Sequence, residues 1–312
     1  MKPKVAFYWC ASCGGCDEAV IDLDETLLDL LSSVEIVFWP AAMDFKLKDL
    51  QGMANGSILV SFINGAIRNS DQREMAELLR ARSRMVVAFG SCAQLGGIPG
   101  LANLSGAKSI FAEVYPGGVT PRSFHQENGH ALRLPDFFDN VSALGSVVDV
   151  DYYVPGCPPT PSIIREAINR LMGAELPPKG TVLAPDKALC ETCPRKDTRP
   201  EKLLVREFKR THQILPDQQT CLLAQGLVCL GPGTRAGCEA KCIDGNMPCT
   251  GCFGPTSRVR DFGAKALSAV ASVADCNEEA LTEEVMNGVP DPAGTFYRYS
   301  LPSSLLTPQH ME

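Results

Sequence analysis

Eight cysteines lie between residues 190 and 252, in a stretch with almost no strong hydrophobic periodicity, and they limit what this chain can fold into. A segment that cannot bury enough apolar surface by itself is held by covalent or coordinate bonds. The eight are Cys190 and Cys193, Cys221 and Cys229, Cys238 and Cys242, and Cys249 and Cys252. They divide naturally into two sites of four, an arrangement open to structural zinc and to iron-sulfur clusters alike. Two features favour clusters. Proline follows Cys193 and also Cys157, and the ligands are scattered along loops instead of forming two compact knuckles. Six further cysteines bring the total to fourteen. The N-terminus, MKPKVAFYWC, runs at once into a strand-like segment with no basic region leading into a long apolar one and no twin arginine, so the expected compartment is the cytoplasm. Its reducing poise favours thiolate ligands over disulfides. No run approaches 18 apolar residues, so no membrane span is expected. A net charge of −7 supplies no positive field for nucleic acid.

The first 175 residues read differently. KVAFYW (4 to 9), VEIVFW (34 to 39), SILVSFI (57 to 63), RMVVAFG (84 to 90) and VDVDYY (148 to 153) are short β-branched or aromatic runs of the kind buried in parallel sheets. Helical stripes lie between or after them: Asp17 to Leu31, Asp71 to Ala81, and Pro161 to Met172 with Thr160 as N-cap and Pro161 at the first helical position. The expected fold is α/β: a flavodoxin-like doubly wound parallel sheet over residues 1–175, then an irregular, cluster-stabilised iron-sulfur domain over 176–312, with PPKGTVLAPDK as a linker-like start. In such sheets the binding crevice lies beyond the C-terminal ends of the strands. Cys10, Cys13 and Cys16 follow the first strand, Cys92 the fourth and Cys157 the fifth, in turns rich in glycine and proline that belong at a surface and not in a core. C-x-x-C describes both Cys10 with Cys13 and Cys13 with Cys16, so spacing alone admits either pair. The first loop, CASCGGC, lacks a phosphate-cradling composition and no G-x-G-x-x-G is present, so neither flavin nor nicotinamide is expected.

An ordered set of motifs then carries a resemblance. W-x-x-x-C-x-G-C (Trp9 to Cys16), GSCAQLGGIPG, VPGCPP, CETCPR, CLLAQGLVCLGPGTRAGC and MPCTGCFGP span most of the chain. It resembles the small subunit of nickel-iron hydrogenases, more closely the cytosolic methyl-viologen-reducing type that serves heterodisulfide reductase. The resemblance implies three 4Fe-4S clusters: a proximal one on Cys13, Cys16, Cys92 and Cys157, a medial one on Cys238, Cys242, Cys249 and Cys252, and a distal one on Cys190, Cys193, Cys221 and Cys229. Cys10 falls at a variable position of the motif. The better-known periplasmic members have histidine where this chain has Cys190, and only three medial cysteines; here Cys242 offers a fourth. Glu18 matches an acidic position that the family's C-x-x-C-x-E pattern links to proton relay, and it equally suits the first turn of a helix. No catalytic residue is expected in this chain beyond that relay. The implied partners are a nickel-binding large subunit and an iron-sulfur electron-accepting subunit of the heterodisulfide reductase kind. Sister groups that reduce a deazaflavin or nicotinamide remain open, as do a complex I-like subunit and a zinc-stapled interaction protein. Cys276 has no nearby cysteine partner and reads as an incidental thiol, and the four histidines lack ligand spacing.

Overall fold

The computed structural model describes residues 2–117, 125–127, 130–132, 134–173, 175–275, 282–283, 285, 287–289 and 291–306. Cys276 and His310 lie outside them. Six parallel strands form the central sheet: β1 (Lys4–Trp9), β2 (Glu35–Phe38), β3 (Ile58–Asn64), β4 (Ser83–Phe89), β5 (Tyr152–Val154) and β6 (Thr181–Val182). Their spatial order is β2-β1-β3-β4-β5-β6, the flavodoxin order with one strand added. Both faces are covered, and alternate residues serve alternate faces. On β4, Met85, Val87 and Phe89 join one core while Val86 and Ala88 join the other.

The helices that matter for the site are α1 (Gly15–Ile21), α2 (Glu25–Ser33), α3 (Ser70–Arg82), α4 (Ser91–Leu95), α5 (Pro161–Met172) and α6 (Phe262–Ala271). The single helix expected over Asp17 to Leu31 is two. It breaks after Ile21, and Asp24 takes a positive φ of 52° between the two pieces. Thr160 has the extended backbone of an N-cap, but its Oγ1 sits 3.0 Å from Ser162 Oγ and caps no amide.

The fifth strand starts later than expected because Asp151 is diverted. Buried, it meets Arg80 and Lys179 at 2.5 Å each and accepts from the Val86 amide. Burial alone would raise its pKa; the bonds from Lys179, Arg80 and Val86 override it and hold the carboxyl below its ordinary range.

Two further expectations are corrected. PPKGTVLAPDK is not merely a linker: its Thr181 and Val182 pair with Tyr152 and Tyr153 and close the edge of the sheet. The cysteine-rich half also has its own hydrophobic core, in which Leu189, Phe208, Leu222, Leu227, Leu230 and Phe262 are all buried. These residues come from turns and short helical pieces, so no period of 2 or 3.6 announces them. The chain then returns to the first domain. Pro302 packs against Gly96 and Gly100, the Gly97 amide donates to the Tyr299 carbonyl (3.0 Å), and Ser303 Oγ donates to the Leu95 carbonyl (3.1 Å). This C-terminal strap braces the loop that follows Cys92. None of the helices is long and apolar enough to cross a membrane among the described residues.

Candidate functional site

Cys13, Cys16, Cys92 and Cys157 come together beyond the C-terminal ends of β1, β4 and β5. Cys16 has its thiol raised by burial and then by Cys92, Cys157 and Cys13. Burial, Cys157 and Cys13 push Cys92 up to about 12. Cys157 is raised by burial and by Cys13. Cys16 thus feels all three of the others, Cys92 two of them and Cys157 one. Cys10 does not belong to this group. It continues the alternation of Ala6 and Tyr8 into the opposite core, its amide extends the β1–β3 ladder to the Asn64 carbonyl (2.8 Å), and only burial raises its pKa.

The backbone around these thiols is shaped to them. Gly14, at φ 87°, lies under the Trp9 ring, and Gly15 donates its amide to Cys13 Sγ at 3.5 Å. A Cβ on Gly90 would overlap Cys16 Sγ. Behind the loop, Asp17 is buried and accepts from Trp39 Nε1 and Asn64 Nδ2, both at 2.7 Å, while Asn64 Oδ1 accepts from Ser12 Oγ at 3.0 Å. Asp17→Ala leaves two buried donors without an acceptor. Its expected cost is about 2–4 kcal/mol of stability, read as a lower urea midpoint, with Asp17→Asn losing less. Glu18, by contrast, is exposed on the first turn of α1.

The other eight thiols line two neighbouring cavities. Cys190, Cys193, Cys221 and Cys229 surround one, and Cys238, Cys242, Cys249 and Cys252 the other, together with Cys157. In the first, burial and Cys229 push Cys190 up to about 12 against the pull of Arg199. A Cβ on Gly231 would stand 3.2 Å from Cys190 Sγ and 3.7 Å from Cys229 Sγ. In the second, burial outweighs the amide of Cys157 and, with Cys238 and Cys242, pushes Cys252 up to about 12. Cys238 is raised by burial although the amides of Ala240 and Lys241 point at it; Ala240 sits at φ 54°. Such amides favour thiolate and so suit a ligand. Among the described residues no three His, Cys, Asp or Glu side chains converge on a single metal ion. The thiols instead surround spaces between them, and all-thiolate sets of four around such cavities fit iron-sulfur clusters.

The three sets are joined. Cys157 lines the cavity of Cys238, Cys242, Cys249 and Cys252, and the Cys249 amide donates to Cys229 Sγ at 3.4 Å. Leu189 and Ile243 line both of the C-terminal cavities. Ser91 Oγ, beside Cys92, donates to the Cys252 carbonyl.

Comparison with known proteins places this arrangement in a family. Residues 13–171 match the family described as NADH ubiquinone oxidoreductase, 20 Kd subunit. Over its full length the chain is 39% identical to the iron-sulfur subunit of the F420-non-reducing hydrogenase of Archaeoglobus profundus, covering 98% of both chains. It is 37% identical to a subunit of the F420-non-reducing hydrogenase of Methanothermobacter thermautotrophicus, covering 98% of this chain and 96% of that one. The chain belongs to this family of hydrogenase small subunits. Among solved structures, the [NiFeSe]-hydrogenase from Dm. baculatum shares the fold, with a TM-score of 0.53 at 20% identity over 82% of this chain and 95% of that one. The match to the oxidoreductase 20 Kd subunit stops at residue 171, whereas the hydrogenase subunits also align with the eight-cysteine half. Sequence reasoning found the cysteines of this hydrogenase subunit but not their supports. Asp17, Arg195 and the strap at Pro302 carry no local signal, because each acts on residues distant in the chain.

Proposed function

We propose that this chain is the electron-transfer subunit of a cytoplasmic nickel-iron hydrogenase, carrying electrons between hydrogen chemistry in a large partner subunit and a low-potential iron-sulfur acceptor other than F420. Cys13, Cys16, Cys92 and Cys157 would hold the proximal cluster, Cys238, Cys242, Cys249 and Cys252 the medial, and Cys190, Cys193, Cys221 and Cys229 the distal. Such clusters, when bound, supply one-electron acceptance and donation. The chain's own part is to position them, keep water out and set their potentials. The observation that carries the reading is continuity: Cys157 of the first set lines the cavity of the second, and the Cys249 amide of the second donates to Cys229 Sγ of the third. Trp9 and Ile98, 45% and 50% exposed beside the proximal cysteines, offer apolar surface to the large subunit. Glu18, exposed two residues past Cys16, would pass a proton toward that partner. The heterodisulfide reductase type of acceptor follows from the family's methyl-viologen-reducing members, and the N-terminal 1–175 and C-terminal 176–312 division assigns the proximal set to one domain and the other two to the second, which lends the first its edge strand Thr181–Val182.

Anaerobic analysis of iron, acid-labile sulfide, zinc and nickel tests this. About twelve iron and twelve sulfide per chain, with nickel only when the large partner is present, are expected. About two zinc and no sulfide would make the eight C-terminal cysteines a structural staple and end the reading.

A further inference from the structure

Arg195, two residues past Cys193, is 6% exposed. All the hydrogen bonds its guanidinium makes to the described residues end on neutral oxygens. Nη1 donates to the carbonyls of Asp217 (3.1 Å) and Thr220 (3.3 Å), and Nη2 to the Ile243 carbonyl (3.0 Å) and Asn246 Oδ1 (2.9 Å). No carboxylate among the described residues forms an ion pair with it. The Asp217 carboxylate is held first by Thr220 and Gln219 and also feels the Arg195 charge, but it stands exposed to solvent and forms no ion pair with it. The other two buried arginines are provided for: Arg235 pairs with Asp186 at 2.9 Å, and Arg68 lies over the Phe137 ring with Asp139 nearby.

A guanidinium does not shed its proton in a protein, and a charge held away from water needs an opposite one. Carbonyl dipoles orient Arg195 but do not neutralise it. What it borders is the cavity of Cys190, Cys193, Cys221 and Cys229, which it helps to line, and its own amide donates to Cys193 Sγ at 3.4 Å. Arg199 lines the same cavity and acts on Cys190, but it is exposed, as is Asp217. We infer that the buried counter-charge of Arg195 is the distal thiolate site itself, and that Arg195 helps to set the electron affinity of that site. The inference rests on the four-cysteine cluster proposed there. An added electron makes the site more negative, and a fixed cation beside it favours the reduced form. Arg195 is thus a positioning residue that raises the distal potential, at the point where electrons leave the chain.

The test is an EPR-monitored redox titration of the native complex, with the distal signal assigned as the one missing from a Cys221→Ser variant. Arg195→Gln is expected to lower the ratio of reduced to oxidised distal cluster at fixed potential about tenfold, or about 59 mV for one electron. Arg195→Lys keeps the charge and stays within about twofold of the parent. Asn246→Asp is isosteric and gives the guanidinium a carboxylate partner, so it lowers the ratio as well, with the arginine fork intact. Lys196→Gln removes an equal charge from the exposed next position and changes the ratio by less than about twofold, because solvent screens it. If Arg195→Gln fails to load iron, Asn246→Asp decides the matter. Unchanged distal potential in Asn246→Asp, or in a fully loaded Arg195→Gln, would overturn the inference and leave Arg195 a structural staple. About eight iron per wild-type chain, with no signal lost in Cys221→Ser, would instead remove the distal cluster and with it the reading on which the inference stands.

Discussion

Replacing Cys92 with serine is expected to abolish hydrogen-dependent viologen reduction by the complex, while hydrogen/deuterium exchange in the large subunit partly survives. The two assays separate chemistry at the partner's metal centre from the exit of electrons, and only the exit runs through this chain. Cys92 is closely enclosed among the four proposed proximal ligands. It is buried on α4, coupled to Cys157 and Cys13, its sulfur is approached by the Ile98 amide, and a Cβ on Gly97 would overlap it. The C-terminal strap fixes the same loop through Tyr299 and Pro302. A serine there has no room to be replaced by a neighbouring ligand, since Cys10 faces the opposite core. The loss should exceed the roughly 10–100-fold typical of losing an outer partner of a metal ligand. Normal viologen reduction by Cys92→Ser would sink the proximal assignment. Cys10→Ser serves as the contrast: it should leave viologen reduction near the parent value.

The contrast between Cys10 and Cys92 also shows where a sequence is readable. The first four strands were legible because each is built around a short apolar run, and the cysteines at their ends were legible because the ends of such strands define a crevice. β6 was not, since its two residues belong to a stretch of only four between Gly180 and Pro185, and only their pairing with Tyr152 and Tyr153 makes them a strand. The second core escaped for the same reason. Phe208, Leu223 and Phe296 are far apart in sequence and share no period, yet they join one cluster. The break between α1 and α2 was hidden by an apolar stripe that continues across it, because periodicity reports which face is buried and not whether the axis turns. Buried polar groups are the least visible of all. Asp17 and Glu18 are adjacent acids in one helical turn, yet one is enclosed by Trp39 and Asn64 and the other is exposed, a distinction made entirely by residues from β3 and the segment after β2.

Cys242 carries the second large expectation. The oxidised protein should show no stoichiometric 3Fe-4S EPR signal, and Cys242→Ala should produce one. Cys242 is exposed, on the short turn of Lys241–Asp244, whereas Cys249 is buried and Cys252 is pushed up to about 12 by burial, against the Cys157 amide, and by Cys238 and Cys242. Removing the outermost thiol therefore leaves the other three in place, anchored by the amides of Ala240, Lys241, Gly251 and Cys157. A missing thiolate removes negative charge from around the iron, so the medial potential of the variant should rise relative to the parent. That rise would put a higher-potential step between proximal and distal sites and slow reduction of a low-potential acceptor more than of viologen. The wild-type signal decides the point first. A stoichiometric 3Fe-4S signal in the unaltered protein would mean that Cys242 is no ligand, and the fourth thiol at the solvent edge of that cavity would then be one more exposed cysteine.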